Sequence, residues 1–102
     1  MTRWFVSRHP GAVEWAKRQD IAIDRFVSHL VMNDVQSGDH VYGTLPVELA
    51  AEVCERGARF FSLCVGVTEE QRGLDLTADT LCQLNARLRE YHVTEPGGDN
   101  DA

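Results

Sequence analysis

Short apolar runs alternate along this chain with segments in which apolar residues recur every three or four positions. The runs predict β-strands, and the spaced positions predict amphipathic α-helices. Strands are expected at residues 3–7, 21–31, 40–45 and 58–67, and helices at residues 10–19, 46–56 and 77–91. The fourth strand is apolar enough to lie inside a sheet. This order of elements predicts a small α/β domain with a mainly parallel sheet.

Individual residues mark the ends of the predicted helices. Gly57 is expected to stop the second helix, and Thr77 is expected to cap the start of the last one. Leu76 and Leu81 can form a hydrophobic staple across that cap. The buried stripe of the last helix is expected to contain Leu81, Leu84, Leu88 and Tyr91.

Composition places the chain among ordinary globular domains. Its 102 residues suit one domain at 1–93, which contains a charged loop at 68–76. A Gly- and Asp-rich tail follows at 94–102, and we expect it to be disordered. Hydrophobic residues make up 43% of the chain and charged residues 25%. No apolar run reaches the roughly 18 residues of a membrane span, and the N-terminus does not resemble a signal peptide.

Charge and cysteine content exclude several classes of function. The net charge of −6 argues against a partner such as long DNA or RNA, which needs an extended basic surface. The three cysteines are odd in number and widely spaced, which favours reduced thiols in the cytoplasm over a disulfide framework or a zinc site. The chain contains neither G-x-x-x-x-G-K-[ST] nor G-x-G-x-x-G, and no histidines have metal-ligand spacing. We therefore expect no nucleotide cofactor and no metal.

The two halves of the chain repeat one local pattern. Val-Ser-Arg-His-Pro at 6–10 leads from the first strand into a helix, and Tyr-Gly-Thr-Leu-Pro at 42–46 leads from the third strand into another. Proline suits the first position of a helix, where its missing N–H needs no partner. If the two strands are neighbours with their helices on opposite faces, a topological switch point lies between them. Both helix N-termini are then expected to point into one crevice.

The residues around these turns suit an anionic ligand. Ser7, Arg8 and His9 offer a hydroxyl, a guanidinium and an imidazole beside a helix N-terminus, where backbone N–H groups favour negative charge. These three residues are the candidate catalytic groups. The candidate binding positions are Pro10, Gly11, Gly43, Thr44, Leu45 and Pro46.

Each candidate also has a structural interpretation. Arg8 could be a surface charge, His9 a simple helix cap, and Ser7 a hydroxyl that bonds only to local backbone. Gly43 could serve a tight turn, or it could let the backbone approach a ligand closely. His29, at the expected end of the second strand, is interpreted as an edge histidine.

Two motifs resemble a known family. W-F-V-S-R-H-P-G-A-V-E-W at residues 4–15 and V-Y-G-T-L-P-V-E-L-A-A-E-V-C-E-R-G-A-R at residues 41–59 resemble a small CRISPR-associated accessory family found beside type III systems. The resemblance extends to Val93, and it departs at residues 30–33, which are more apolar than the family pattern. It implies similarity to ring nucleases, which bind cyclic oligoadenylate second messengers, most often cyclic tetra-adenylate, and linearise them. It also implies a homodimer and a three-layer fold related to Rossmann-like, CARF-like sensor domains.

The resemblance gives the candidate residues specific roles. In a metal-independent reaction, a ribose 2′-hydroxyl attacks its neighbouring phosphate and leaves a 2′,3′-cyclic phosphate. Arg8 is then expected at the scissile phosphate and His9 as general acid or base, with Ser7 and the Gly43–Thr44 backbone orienting phosphate or ribose. A module that only sequesters the messenger, or an interaction protein of the effector complex, would use the same surface without catalysis.

Overall fold

A five-stranded sheet organises the fold in the computed structural model, which describes residues 1–65 and 77–96. The strands are β1 (Arg3–Val6), β2 (Arg25–Val27), β3 (His40–Gly43), β4 (Arg59–Cys64) and β5 (Arg87–Tyr91). The helices are α1 (Pro10–Arg18), α2 (Val47–Glu55) and α3 (Ala78–Gln83), and a short 3-10 turn occupies Met32–Asp34. The predicted loop at 68–76, the staple residue Leu76 and residues 97–102 of the predicted tail lie outside the described residues.

The strand order is β2-β1-β3-β4-β5. β1 runs parallel to both β2 and β3, and β3 runs parallel to β4, while β5 is antiparallel to β4 at the edge. The prediction of a mainly parallel sheet is therefore confirmed. β4 lies between two strands, as its apolar sequence predicts.

Helices cover both faces of this sheet. Successive residues of a strand point to opposite faces, so Phe5 packs with α1 and α3 in one buried cluster, whereas Trp4 and Val6 pack with α2 in a second cluster. Tyr42 and Val41 of β3 divide between the two clusters in the same way. The result is three layers, with α1 and α3 on one face and α2 on the other.

The prediction of one long helix at 77–91 is wrong in its second half. α3 ends at Gln83, and the chain then enters the edge strand β5. Asn85 adopts a left-handed conformation with φ of 57°. Its N–H donates to the Cys82 carbonyl at 3.2 Å and the N–H of Ala86 donates to the Leu81 carbonyl at 2.9 Å, which together form a Schellman motif. Asparagine tolerates this conformation, so Asn85 ends the helix.

The residues of the predicted helical stripe have two different environments. Leu81 and Leu84 are buried, as expected, and the Thr77 hydroxyl caps α3 by accepting a hydrogen bond from the Thr80 N–H at 3.1 Å. Leu88 packs partly buried on the α1 and α3 face of the sheet, but Tyr91 is 44% exposed. Leu88, whose spacing from Leu81 and Leu84 predicts a helix face, thus belongs to a strand.

The second strand is also shorter than the prediction of 21–31. β2 has three residues, and before it Ile21 and Ile23 pack against the α1 side of the core. Just ahead of β2, the Asp24 carboxylate accepts a hydrogen bond from the Arg3 N–H at 2.8 Å, which connects this segment to β1. His29 consequently lies in the loop that follows β2. Similarly, β3 ends before Leu45.

A buried carboxylate connects the amino-terminal ends of the strands. Asp39, only 2% exposed, accepts hydrogen bonds from the Thr2 N–H at 2.9 Å, the Gln36 N–H at 3.0 Å and the Trp4 indole Nε1 at 3.1 Å. Burial alone would raise the pKa of this carboxyl, but these hydrogen bonds outweigh burial and hold the pKa below its ordinary value. The side chain is therefore ionised and fully engaged in the folded protein at neutral pH.

Replacing Asp39 is expected to destabilise the fold. Asp39→Ala leaves three donors without their acceptor, which should lower the free energy of unfolding by about 3 kcal/mol in urea titrations monitored by circular dichroism. Asp34→Ala, at an exposed aspartate of the 3-10 turn, is the matched control and should change stability little. Equal losses in the two variants would contradict a special role for Asp39.

The Asp39 carboxylate should also make stability depend on pH. Its folded-state pKa is lowered, so its contribution is complete above the unfolded value of about 4 and is lost as pH falls through the folded value. We expect the difference in urea midpoint between the wild type and Asp39→Asn to be largest near neutrality and to shrink below about pH 4. A difference that is constant from neutral to acid pH would contradict this assignment.

Candidate functional site

The predicted switch point lies between β1 and β3. These strands are neighbours, α1 leaves β1 toward one face, and α2 leaves β3 toward the other. A cleft of about 330 Å³ opens at their carboxyl ends, where ligands bind in open α/β sheets. Residues 7–9 after β1, 28–30 after β2 and 44–46 after β3 form most of its lining. The sequence predicts a crevice at this position, and the loops that follow β1 and β3 both line the cleft found there.

Gly43 allows β1 and β3 to meet closely at the base of the cleft. Its φ is 127°, and a Cβ atom at this position would overlap the carbonyl oxygen of Val6. The same carbonyl accepts a hydrogen bond from the Thr44 N–H at 3.2 Å. Gly43 therefore allows β1 and β3 to approach each other closely, and its own atoms do not line the cleft.

Ser7 shapes the turn between β1 and α1. It is 8% exposed, its N–H donates to the Val27 carbonyl at 3.0 Å, and its hydroxyl oxygen accepts a hydrogen bond from the His9 N–H at 3.1 Å. The structural interpretation of Ser7 as a hydroxyl bonded to local backbone thus describes its contacts. The residue also borders the cleft, where the hydroxyl hydrogen can still be donated.

His9 lies at the start of α1 without capping it through its side chain. Its carbonyl accepts hydrogen bonds from Ala12 at 3.0 Å and Val13 at 3.2 Å, while the imidazole makes no cap hydrogen bond. Pro10 is the first helical residue, as predicted, but Pro10 and Gly11 line an adjoining groove between α1 and α3 and do not line the cleft. The exposed imidazole of His9 borders both spaces.

The guanidinium of Arg8 contacts a residue that is not among the predicted site residues. Its guanidinium Nη2 lies 3.3 Å from Nδ1 of His29. The interpretation of His29 as an edge histidine is therefore wrong, because the residue lies beyond the end of β2 and lines the cleft beside Ser28. A signal was present in the sequence: parallel strands end at one edge, so polar residues that follow two neighbouring strands come together there.

An apolar wall faces these polar groups. Leu45, Leu49 and Leu30 line the cleft, and Leu30 and Leu45 also pack against the buried cluster beneath α2. Within the apolar segment 30–33, Leu30 and Met32 pack against this cluster, whereas Val31 is 58% exposed. Nearby, Val47 is 73% exposed in the first turn of α2. The cleft thus combines donors suited to an anion with a surface suited to a flat apolar group.

A histidine outside the cleft lies at the opposite end of β3. His40 begins that strand, contacts the Tyr42 hydroxyl through Nδ1 at 3.1 Å and packs against the Phe61 ring. Burial, with the positive charges of Arg59 and Arg3, lowers the pKa of its imidazole. His40 is thus part of the structural packing of the sheet.

Two features are absent from the described ranges, 1–65 and 77–96. They hold no group of three or more His, Cys, Asp or Glu side chains arranged for a metal ion. Nor does any helix in those ranges have the length and apolar character needed to cross a membrane.

Taken together, these features define a small three-layer α/β protein with an open cleft at a topological switch point. Residues 4–94 match the family described as "Putative CRISPR-associated protein (Cas_VVA1548)", and the chain belongs to this family. The match includes both motifs, at 4–15 and 41–59, so the CRISPR association implied by the resemblance is confirmed. No curated protein and no solved structure was found to match the chain.

Gly43 provides a test of the close approach beneath the cleft. Gly43→Ala adds a methyl group against the Val6 carbonyl and strains the backbone, so the free energy of unfolding should fall by about 3 kcal/mol in urea titrations. Gly38→Ala is the matched control, because φ there is 90° but a Cβ would meet nothing within 4 Å. It should lose only about 1 kcal/mol. Equal losses would show that φ alone explains the need for glycine.

Proposed function

We propose that this protein is a ring nuclease that binds a cyclic oligoadenylate, with cyclic tetra-adenylate as the first candidate, and linearises it in the cytoplasm to end type III CRISPR signalling. Membership of a CRISPR-associated family and the resemblance at residues 4–15 and 41–59 support this proposal. The observation that carries it is the convergence of residues 7–9 and 44–46 on one cleft at the beginnings of α1 and α2.

Local donors explain how an acidic chain would hold a polyanion. The net charge is −6, so attraction must come from Arg8 and from the positive ends of the two helix dipoles, where the residues that precede the helices, His9 and Pro46, border the cleft. A nucleotide also has an apolar base. The wall formed by Leu30, Leu45 and Leu49 offers the apolar surface that an adenine ring would cover.

The size of the cleft favours a dimeric arrangement. Its volume of about 330 Å³ is at the lower end for a pocket that encloses one drug-sized molecule. A ring of four nucleotides is several times larger, so one cleft can hold only part of it. In our proposal the domain is Rossmann-like and CARF-like, and two copies related by a two-fold axis present four helix N-termini to one ring.

The proposed reaction is an internal transesterification. A ribose 2′-oxygen attacks the neighbouring phosphorus, the bond from phosphorus to the 5′-oxygen breaks, and the products are a 2′,3′-cyclic phosphate and a 5′-hydroxyl. Arg8 would stabilise the charge that builds up on the phosphate oxygens. His9 would move a proton at the 2′-oxygen or the 5′-oxygen, since imidazole exchanges protons near neutral pH. Ser7 and Thr44 would orient phosphate or ribose.

A single-turnover assay tests the proposal directly. Excess protein is incubated with labelled cyclic tri-, tetra- or hexa-adenylate in the presence of a chelator, and the products are separated. Linear fragments ending in 2′,3′-cyclic phosphate are expected, and the ring consumed fastest identifies the substrate. An intact ring that stays bound would indicate a sequestering module instead. An intact ring that stays free would overturn the proposal and favour an interaction protein.

Two substitutions test the assigned roles. Arg8→Ala and His9→Ala should each lower the single-turnover rate roughly 100-fold or more, because each removes a group that acts in the transition state. Arg89→Ala on β5 and His92→Ala just after it change exposed residues at the far edge of the sheet, and both should retain wild-type rates. Full activity in both cleft variants would refute the assignment. The melting temperature of all four variants should match that of the wild type, since none of these side chains is buried.

A further inference from the structure

We propose that His29 is the positioning residue for Arg8: its imidazole accepts a hydrogen bond from the guanidinium and holds it at the cleft without neutralising its charge. The effect on catalysis rests on the proposed function, whereas the pairing itself does not. His29 comes from the loop after β2, outside the two motifs that carry the family resemblance.

The backbone brings these two residues together. Val6 of β1 is in register with Val27 of β2, and the Ser7 N–H extends the strand pairing by donating to the Val27 carbonyl at 3.0 Å. Arg8 and His29 each follow two residues after this registered pair. The sheet thus places the two residues side by side at the cleft, and their side chains meet there with 3.3 Å between Nη2 and Nδ1.

Chemistry fixes which atom donates. A guanidinium carries only N–H donors, so Nδ1 of His29 must be the acceptor and must carry no proton. The imidazole is then neutral, with its proton on Nε2. This tautomer offers a second N–H donor in the cleft, while the positive charge of the pair stays on Arg8.

Among the described residues Arg8 has no acidic partner, and this gives the pairing its value. Within residues 1–65 and 77–96, four arginine–carboxylate pairs occur, and Arg8 takes part in none of them. A carboxylate would orient the guanidinium but also neutralise it. A neutral imidazole orients it and leaves the charge available for a phosphate, and ordering the long side chain in advance reduces the entropy lost on binding.

Substitutions of His29 separate positioning from direct action. His29→Ala removes the acceptor and should lower the single-turnover rate about 10- to 100-fold, by analogy with the loss of a side chain that supports a metal ligand. His29→Asn keeps an oxygen acceptor near the position of Nδ1 and should recover most of the rate. The double variant Arg8→Ala/His29→Ala should be no slower than Arg8→Ala alone.

Two kinetic outcomes would overturn the proposal. The first is a wild-type rate in His29→Ala. The second is a combination of two results: His29→Asn is as slow as His29→Ala, and the double variant is slower than Arg8→Ala alone. His29 would then act without Arg8. An interaction that only stabilises the fold would change the melting temperature and would not give this pattern of rescue and non-additivity.

Nitrogen-15 NMR tests the pairing without any ring or activity. At pH 8 the long-range spectrum of the full chain should show His29 with an unprotonated Nδ1 and a protonated Nε2. Arg8→Ala should move these shifts toward the mixture of tautomers found in a free imidazole. A protonated Nδ1 in the wild type would overturn the proposal whatever the kinetics show. If the wild type cleaves no ring, the proposed function fails and the spectrum alone decides the pairing.

Discussion

The buried carboxylate of Asp39 is the interaction on which the rest of the sheet depends. It joins the segment ahead of β1, the indole of Trp4 within β1, and the loop ahead of β3 through three hydrogen bonds. The carbonyl of the same residue accepts from the Arg59 N–H at 2.9 Å, which brings in β4. One residue thus aligns three parallel strands at their amino-terminal ends. Because the register is fixed there, the carboxyl ends are also fixed, and the cleft has a defined shape.

The cleft depends on a second constraint at the opposite end of the strands. At Gly43, β3 approaches β1 more closely than any side chain would allow. At this end of the two strands, β1 leads to α1 on one face and β3 leads to α2 on the other, and the loops after β1, β2 and β3 meet around the gap. Candidate functional residues from three segments that are distant in sequence form one site because their strands are parallel. In an antiparallel pair, the corresponding loops would lie at opposite ends of the strands.

Much of this site follows from sequence because the signals are local. The strand-to-helix turns at 6–10 and 42–46 carry prolines that mark where α1 and α2 begin, and residues 7–9 and 44–46 line one cleft, whereas Pro10 and Gly11 line a neighbouring groove. His29 was missed because β2 was predicted too long, which placed this residue inside a strand. The secondary structure after residue 83 was predicted wrongly for another reason. Leu81, Leu84 and Leu88 fit a helix face, but the left-handed conformation of Asn85 ends the helix. That conformation depends on hydrogen bonds that hydrophobic periodicity does not describe.

The antiparallel strand β5 limits how copies of this protein can associate. It leaves one edge of the sheet open, and three of its five residues, Arg87, Arg89 and Glu90, are charged and exposed. Pairing two copies through this edge around a two-fold axis at its midpoint would set Arg89 against its own equivalent, which is unfavourable for like charges on adjacent strands. Charged edges of this kind protect a sheet from indefinite growth by strand addition. The β5 edge is thereby protected from strand addition by a further copy, which leaves the other surfaces of the domain for a symmetric partner.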